Sequence, residues 1–435
     1  APKRGEAKPA ERAAAAPEAA PGVCASCDWC GDRACRGRCP PACRARACHD
    51  EGPDDSCEKP LGPWRLFGRP AIESRGLSIR GWADQGMTTN GRQPADRFNG
   101  PVTFIDRTDE WNLGQLYLLA ERETHTDGCG FDLGGRVDLL YGTDSRFVTA
   151  HGLDDSWIGG QRFYSLAMPQ LYVDLALDDW VLRVGHFYSN LDYEVVPAVD
   201  NFFHSHTYAF QYGEPITLTG LTARRQLTDR LSVMAGLDQG WDRWTDNNDK
   251  LGFVGGLARK NEESGTSVAL GLTAGNEQAA QASSRTMYSI VFQQQLSRRW
   301  RYVFEHQGGQ ESNALVRNGN LVAADWCGVT NYLLFDVDSQ WSFGLRYEWF
   351  ADNDGTRVRG YGYPHGVAFQ PIPPFRAAWN DVAIGMNYRP HRNILLRCET
   401  RWDWADPFGA STAYPFDNQT QRNQFLFDTD LIIQF

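Results

Sequence analysis

WSFGLRYEW, residues 341–349, sets Trp341, Phe343, Leu345, Tyr347 and Trp349 against Ser342, Gly344, Arg346 and Glu348. Successive side chains of an extended strand point to opposite faces, so a hydrophobic period of two marks an amphipathic strand. The scheme recurs on either side of this stretch. Phe131, Leu133, Val137, Leu139 and Tyr141 alternate with Asp132, Arg136 and Asp138. Val382, Ile384, Met386 and Tyr388 oppose Asp381, Ala383, Gly385, Asn387 and Arg389, and Ile394, Leu396, Cys398, Trp402 and Trp404 oppose Arg397, Glu399, Arg401 and Asp403.

One such strand fits a soluble sandwich as well as a membrane barrel. The connections separate the two. Short turns at Asp178-Asp179, Thr228-Asp229, Ser297-Arg298, Asp338-Ser339 and Pro390 to Asn393 alternate with long stretches near 90–112, 143–165, 189–215, 308–327, 351–379 and 405–424. Outer-membrane barrels carry this asymmetry, with short periplasmic turns and long outer loops, whereas a sandwich has no reason to keep it in step. The pattern predicts an all-β protein, a closed antiparallel transmembrane β-barrel of about 16 strands over residues 77–435. With both termini on the periplasmic side, the long connections fall outside. Aromatic residues near strand ends, Trp180 and Tyr188, Trp341 and Trp349, Trp402 and Trp404, are the expected interfacial girdles.

Composition agrees with that class. Of 435 residues, 12% are aromatic, 43 are Gly and 5 are Met, and the mean hydropathy is -0.49. No run approaches the roughly 18–20 apolar residues a spanning helix needs, and alternation keeps a barrel's average hydropathy low. A net charge of -11 argues against nucleic acid as a partner. The chain begins at Ala1 without Met, so any secretion signal is expected to have been removed or to lie upstream.

The N-terminal region reads differently. Residues 1–22 are rich in Ala, Pro and charge and form a predicted disordered tether; 23–60 are cysteine-rich, and 61–76 form a linker. Cys24, Cys27, Cys30, Cys35, Cys39, Cys43, Cys48 and Cys57 are eight of the eleven cysteines. In an exported protein such spacing suggests a disulfide knot first. An iron–sulfur run, a zinc site with Cys pairs and His49, or unpaired thiols are the alternatives, and no cofactor is assigned. The tail is expected in the periplasm.

Two stretches carry a family likeness. GHFYSNLDYEVVPAVDNFFHSHTYAFQYGEPITLTG (185–220) and RGWADQGMTTN (80–90) resemble the β-barrel porin-2 family, the OmpL-like group. The resemblance covers about 77–435 and implies an outer-membrane channel for small solutes, without catalytic residues. FLFDTDLIIQF (425–435) ends on Phe435, which resembles the signal that the outer-membrane assembly machinery reads in porins.

If the apolar faces meet lipid, the opposite faces line a pore: Arg136, Asp138, Arg183, Arg301, Glu305, Arg346, Glu348, Asp381, Arg389, Arg397, Glu399, Arg401 and Asp403. Rows of both signs imply weak selectivity, although any one charge also serves simply to pair and hydrate the wall. The third outer loop, 189–215, is the candidate constriction, with Asp192, Glu194, Asp200, His204 and His206 facing Arg397 and Arg401 across an eyelet. Packing over the mouth is its alternative. His204 and His206 with Glu194 or Asp200 as metal ligands, or calcium at Asp154-Asp155 and Asp246 to Asp249, are weaker readings than solvated loop charge, and no metal is assigned. The expected function is passive, weakly selective diffusion of small hydrophilic solutes or ions. Competing readings are an envelope-anchoring barrel cross-linked through its cysteines and, with no GxSxG elbow in view, a barrel-borne hydrolase. Lipid, the assembly machinery and a homotrimer are the expected partners.

Overall fold

The strands are β1 (Leu77–Asn90), β2 (Trp111–Arg122), β3 (Phe131–Gly142), β4 (Ser165–Leu177), β5 (Trp180–Tyr188), β6 (Thr217–Thr228), β7 (Leu231–Trp241) and β8 (Gly252–Asn261). They continue with β9 (Thr266–Asn276), β10 (Ser284–Gln295), β11 (Trp300–Arg317), β12 (Asn320–Asp336), β13 (Trp341–Asp352), β14 (Ala377–His391), β15 (Ile394–Pro407) and β16 (Asn423–Gln434). The computed structural model describes residues 64–68, 73–126, 129–157, 163–278, 283–358, 375–410 and 414–435. The cysteine-rich segment and its eight candidate disulfide residues lie outside them.

Each strand pairs antiparallel with its sequence neighbour, and β1 pairs with β16 from Trp82–Gln434 to Asn90–Leu426, which closes a sixteen-strand barrel. Closure leaves no unpaired edge, the condition for strands to cross hydrocarbon. At the seam Gly81 N–H donates to the Phe435 carbonyl at 2.9 Å and Phe435 N–H returns the bond at 2.8 Å. The Phe435 ring lies 2.9 Å from where a Cβ on Gly81 would stand, so the seam needs glycine there.

The apolar face points outward. Leu237, Leu257, Leu270, Leu272, Ile384 and Trp402 are 40–58% exposed, while Arg346, Glu348, Asp381 and Asp403 are 0% exposed inside the ring. A soluble barrel would reverse this order. Among the described residues no helix is long and apolar enough to cross a membrane; the strands make the crossing. Exposed Phe131, Trp180 and Trp300 stand at the turn end and exposed Trp111, Trp402 and Phe425 at the loop end, as two girdles require.

Two expectations are corrected. Residues 308–327 are not a long loop: β11 and β12 extend beyond their neighbours and meet in a tight Asn318-Gly319 turn, with φ of 53° and 81°. Asn-Gly is the residue pair that a two-residue turn with both φ positive prefers. Tyr188 does not join the girdle. Gly185 adopts φ 136°, beyond which β5 is buried, and the Tyr188 hydroxyl meets that of Tyr117 at 2.9 Å inside the barrel.

The outward assignment predicts that Leu257→Arg lowers folding stability by about 2–4 kcal/mol, the cost of a cation on the lipid face. Ala258→Ser, one residue on and facing inward, should stay within about 0.5 kcal/mol. Urea titrations in lipid vesicles measure both, and equal costs would contradict the assignment.

Candidate functional site

The connection 189–216, between β5 and β6, folds into the barrel. It carries no α-helix or strand; its regular structure is a 3-10 turn at Ala198–Asp200 and a π-helical turn at Ala209–Gly213. Its peptide groups therefore need partners from elsewhere, because a buried unpaired N–H or C=O costs about 1–3 kcal/mol. The charged inward rows of β13, β15 and β16, with β1 and β2 beside them, supply many of those partners, and Asp192, Glu194, Asn201 and Thr207 of the loop itself supply others.

Cations take the carbonyl groups. Arg346 Nη1 donates to Ser205 O at 2.7 Å, Arg401 Nη1 to His206 O at 2.6 Å and Arg397 Nη1 to Ala198 O at 3.0 Å. Carboxylates take the N–H groups. Glu348 accepts from Tyr208 and Ala209 N–H at 2.8 and 2.7 Å, and Glu399 accepts from His204 N–H at 3.0 Å and from the Ser205 hydroxyl. Glu194 pairs with Arg346 at 3.0 Å and accepts from the Tyr332 hydroxyl at 2.9 Å. Within the wall, Arg346 pairs with Asp381 at 3.1 Å, Arg397 with Asp430 at 2.7 Å and Arg401 with Asp403 at 2.8 Å. Bonds to charged groups of this kind contribute about 1.5–3 kcal/mol each.

Small residues and rings seat the rest of the loop. Leu191 reaches the far wall, where its Cδ2 lies 2.6 Å from the place a Cβ on Gly271 would occupy and its carbonyl accepts from the Ser289 hydroxyl. The Phe203 ring is 2.9 Å from the equivalent point on Gly385, and Trp326 Nε1 donates to Gly213 O at 2.9 Å. Gln115 grips the middle, donating to Val196 O at 2.8 Å and accepting from Ala198 N–H at 3.0 Å.

The arginines expected across an eyelet are thus in direct contact with the loop: Arg397 and Arg401 are 2% and 1% exposed. Glu194 and His204 are buried beside them. His206 stacks on Phe104 at 3.9 Å, where burial pushes the imidazole down to about 4 and its Nε2 lies 3.1 Å from Val195 O. Asp192 is on the other side of the loop, where burial, with Glu194 beside it, pushes the carboxyl up to about 6; Glu305 is its wall neighbour. Asp200 stays exposed among Arg80, Arg136 and Arg389. His204 and His206 do not form a ligand set with Glu194 or Asp200.

The remaining predicted wall residues lie nearer the turn end. Arg136 pairs with Asp138 at 2.7 Å, and Arg183 pairs with Asp174 at 2.9 Å while its guanidinium lies 3.6 Å over the Tyr172 ring. Arg301 is exposed and Arg389 half-buried.

Across the barrel, beyond the reach of Leu191, the wall toward the turn end is less covered. Inward positions on β7, β8 and β9 include Ser232, Gly236, Gly256, Ala258, Ala269 and Gly271 beside the larger Met234, Asp238, Val254 and Thr273, and the paired Ala258 and Ala269 are exposed although they face inward. The inward cations Arg224, Lys260 and Arg301 are exposed on the same side.

Residues 76–435 match the family described as "Putative beta-barrel porin-2, OmpL-like". The chain belongs to this family. It is an outer-membrane porin, and its fold is similar to that of the outer membrane channel DcaP of Acinetobacter baumannii, with 12% identity, a TM-score of 0.54, and 82% of this chain and 97% of that one covered. An anion-selective porin from Comamonas acidovorans gives 10% identity and a TM-score of 0.54 over 82% and 99%. OmpT of Vibrio cholerae in its trimer form gives 10% and 0.52 over 82% and 99%. At such identities the likeness is one of fold. A comparison with curated proteins found no match.

Several residues of this porin's loop seat escaped the sequence reading: Asp84, Gln115, Asp428 and Asp430. The last two oppose Phe425, Phe427, Leu431 and Ile433 in β16, so the period of two already places them inward. A bulge between Asp84 and Gln85 breaks the register of β1 with β2 and obscures the other two.

Arg346→Leu would leave Glu194 buried without its cation and Asp381 with only Arg401 at 4.0 Å, a loss of about 3–5 kcal/mol. The same change at exposed Arg301 should cost under about 0.5 kcal/mol. Urea midpoints of the refolded porin in micelles are the measurement.

Proposed function

We propose that this porin is a passive diffusion channel for small hydrophilic solutes and ions, with a mild preference for anions, and not an enzyme. The observation that carries the reading is the division of the lumen. The inward loop occupies the side whose rows hold both signs and exchanges hydrogen bonds with most of those charges. Small residues on β7, β8 and β9 leave water beside Ala258 and Ala269, and the exposed charges of the inward rows bordering that sector, Arg224, Lys260 and Arg301, are cations, with Lys260 partly offset by Glu262 of the β8–β9 turn at 3.1 Å. The resulting field is weak because three exposed cations are screened within about 8 Å at physiological salt.

In this reading Arg136, Asp138, Arg183, Glu305, Arg346, Glu348, Asp381, Arg397, Glu399, Arg401 and Asp403 shape the pore by holding the loop or one another. Arg301 and Arg389 face the permeating solute. The turn end faces the periplasm and would receive the cysteine-rich tail there, and the Phe435 strand engages the assembly machinery. A homotrimer is the proposed assembly, by analogy with the trimer form of the Vibrio protein.

Refolded porin in a planar bilayer should give stepwise currents with a reversal potential displaced toward anions in a salt gradient. A triple Arg224→Gln, Lys260→Gln, Arg301→Gln variant should move that potential toward zero or cation preference with the step size kept. Absence of stepwise current would remove the channel reading, and an unmoved potential would remove the role given to the three cations.

A further inference from the structure

We propose that Asp84, Asp144 and His204 form a binding site for a divalent transition-metal ion that fastens the inward loop to the barrel wall. One donor atom from each residue lies within 4.8 Å of the others, and the three come from separate places: β1, the 3-10 turn Asp144–Phe147 that follows β3, and the inward loop. All three are buried, Asp84 and Asp144 at 0% exposure and His204 at 7%.

The groups are aimed and unspent. Neither carboxylate oxygen of Asp84 has a hydrogen-bond partner, and neither has His204 Nε2, which points at Asp84 Oδ2 from 3.6 Å. Metal bonds of 2.0–2.1 Å in tetrahedral geometry set donor atoms roughly 3.3 Å apart, so this pair is already near its spacing. Two carboxylates and an imidazole are a donor set that first-row divalent ions accept.

The surroundings orient the ligands as metal sites do. His204 Nδ1 lies 2.8 Å from Asp428 Oδ2, and Asp428 in turn accepts from the Thr88 hydroxyl at 2.6 Å. Such a carboxylate takes the Nδ1 proton and leaves the Nε2 lone pair for the ion. Asp144 is held by Gln115 at 3.0 Å and by the Thr143 hydroxyl at 3.1 Å, each oxygen keeping a free lone pair. Gly114 keeps the space between the two carboxylates: a Cβ there would stand 3.2 Å from Asp84 Oδ2 and 3.3 Å from Asp144 Oδ2.

Two other groups compete for Asp84. Arg397 Nη2 is 3.9 Å away and makes its close bonds to Asp430 instead. Asp430 also approaches Asp84, and a proton on His204 Nε2 would face Asp84 Oδ2 at 3.6 Å, so a proton shared among these groups is the alternative to an ion.

Manganese(II) is the probe, because thiolate ligands select softer ions and the cysteine-rich tail then competes little. Full-length porin is stripped with chelator, dialysed and titrated with Mn²⁺ alone, free ion being read by electron paramagnetic resonance. Wild type should take up one tight equivalent, and Asp84→Asn should bind it at least about 100-fold more weakly, beyond the 10–100-fold typical of groups that merely orient a ligand. Wild-type crystals soaked in Mn²⁺ should show an anomalous peak between Asp84, Asp144 and His204, which decides the matter even if Asp84→Asn fails to fold. Equal binding by wild type and variant, or an anomalous peak confined to other places, would overturn the site and leave the shared proton.

Discussion

A loop without regular structure that crosses the inside of a barrel has to find a partner for each buried peptide group, and the rest of this molecule follows from how that is done. Residues 189–216 meet part of that demand themselves, through Asp192, Glu194, Asn201 and Thr207, which accept from loop N–H groups. Arg346, Arg397 and Arg401 supply donors to their carbonyl groups, and Glu348 and Glu399 supply acceptors to their N–H groups. Charges of both signs must therefore stand close together on one wall. They repay the cost of burial only because each is met on several sides at once.

That requirement divides the lumen. Where the loop lies, the wall needs long charged side chains to meet it, as Asp403 meets the hydroxyl of the loop's Tyr208 at 2.8 Å. Nearer the turn end, where the loop does not lie, short side chains suffice, and Ser232, Ala258 and Ala269 of β7, β8 and β9 face inward there. In the proposed channel the less covered part of the ring sets the room, and the cations that border it set the preference.

Much of the fold was legible in the chain. Strand number, the outward apolar face and the direction of the barrel follow from period-two alternation and from the lengths of the connections, both local properties. The hairpin turn pair Asn318-Gly319 is legible too, although the alternation of short and long connections predicts a long outer loop at that place. Tyr188 was not legible in the same way, because a single glycine at φ 136° ended the alternation on which its placement depended.

For the candidate site, parity placed Arg346, Glu348, Asp381, Arg397, Glu399, Arg401 and Asp403 on the inner face, and the length and aromatic content of 189–215 marked the loop. Composition and alternation determine which side of each strand meets lipid, because lipid and water sort residues one at a time. Whether an inward charge meets water, another wall residue or a loop is decided by groups distant in sequence, such as Arg346 and Ser205 or Asp84 and His204. Those meetings exist only once the sheet has closed on itself and the loop has entered it, so tertiary structure alone could assign them.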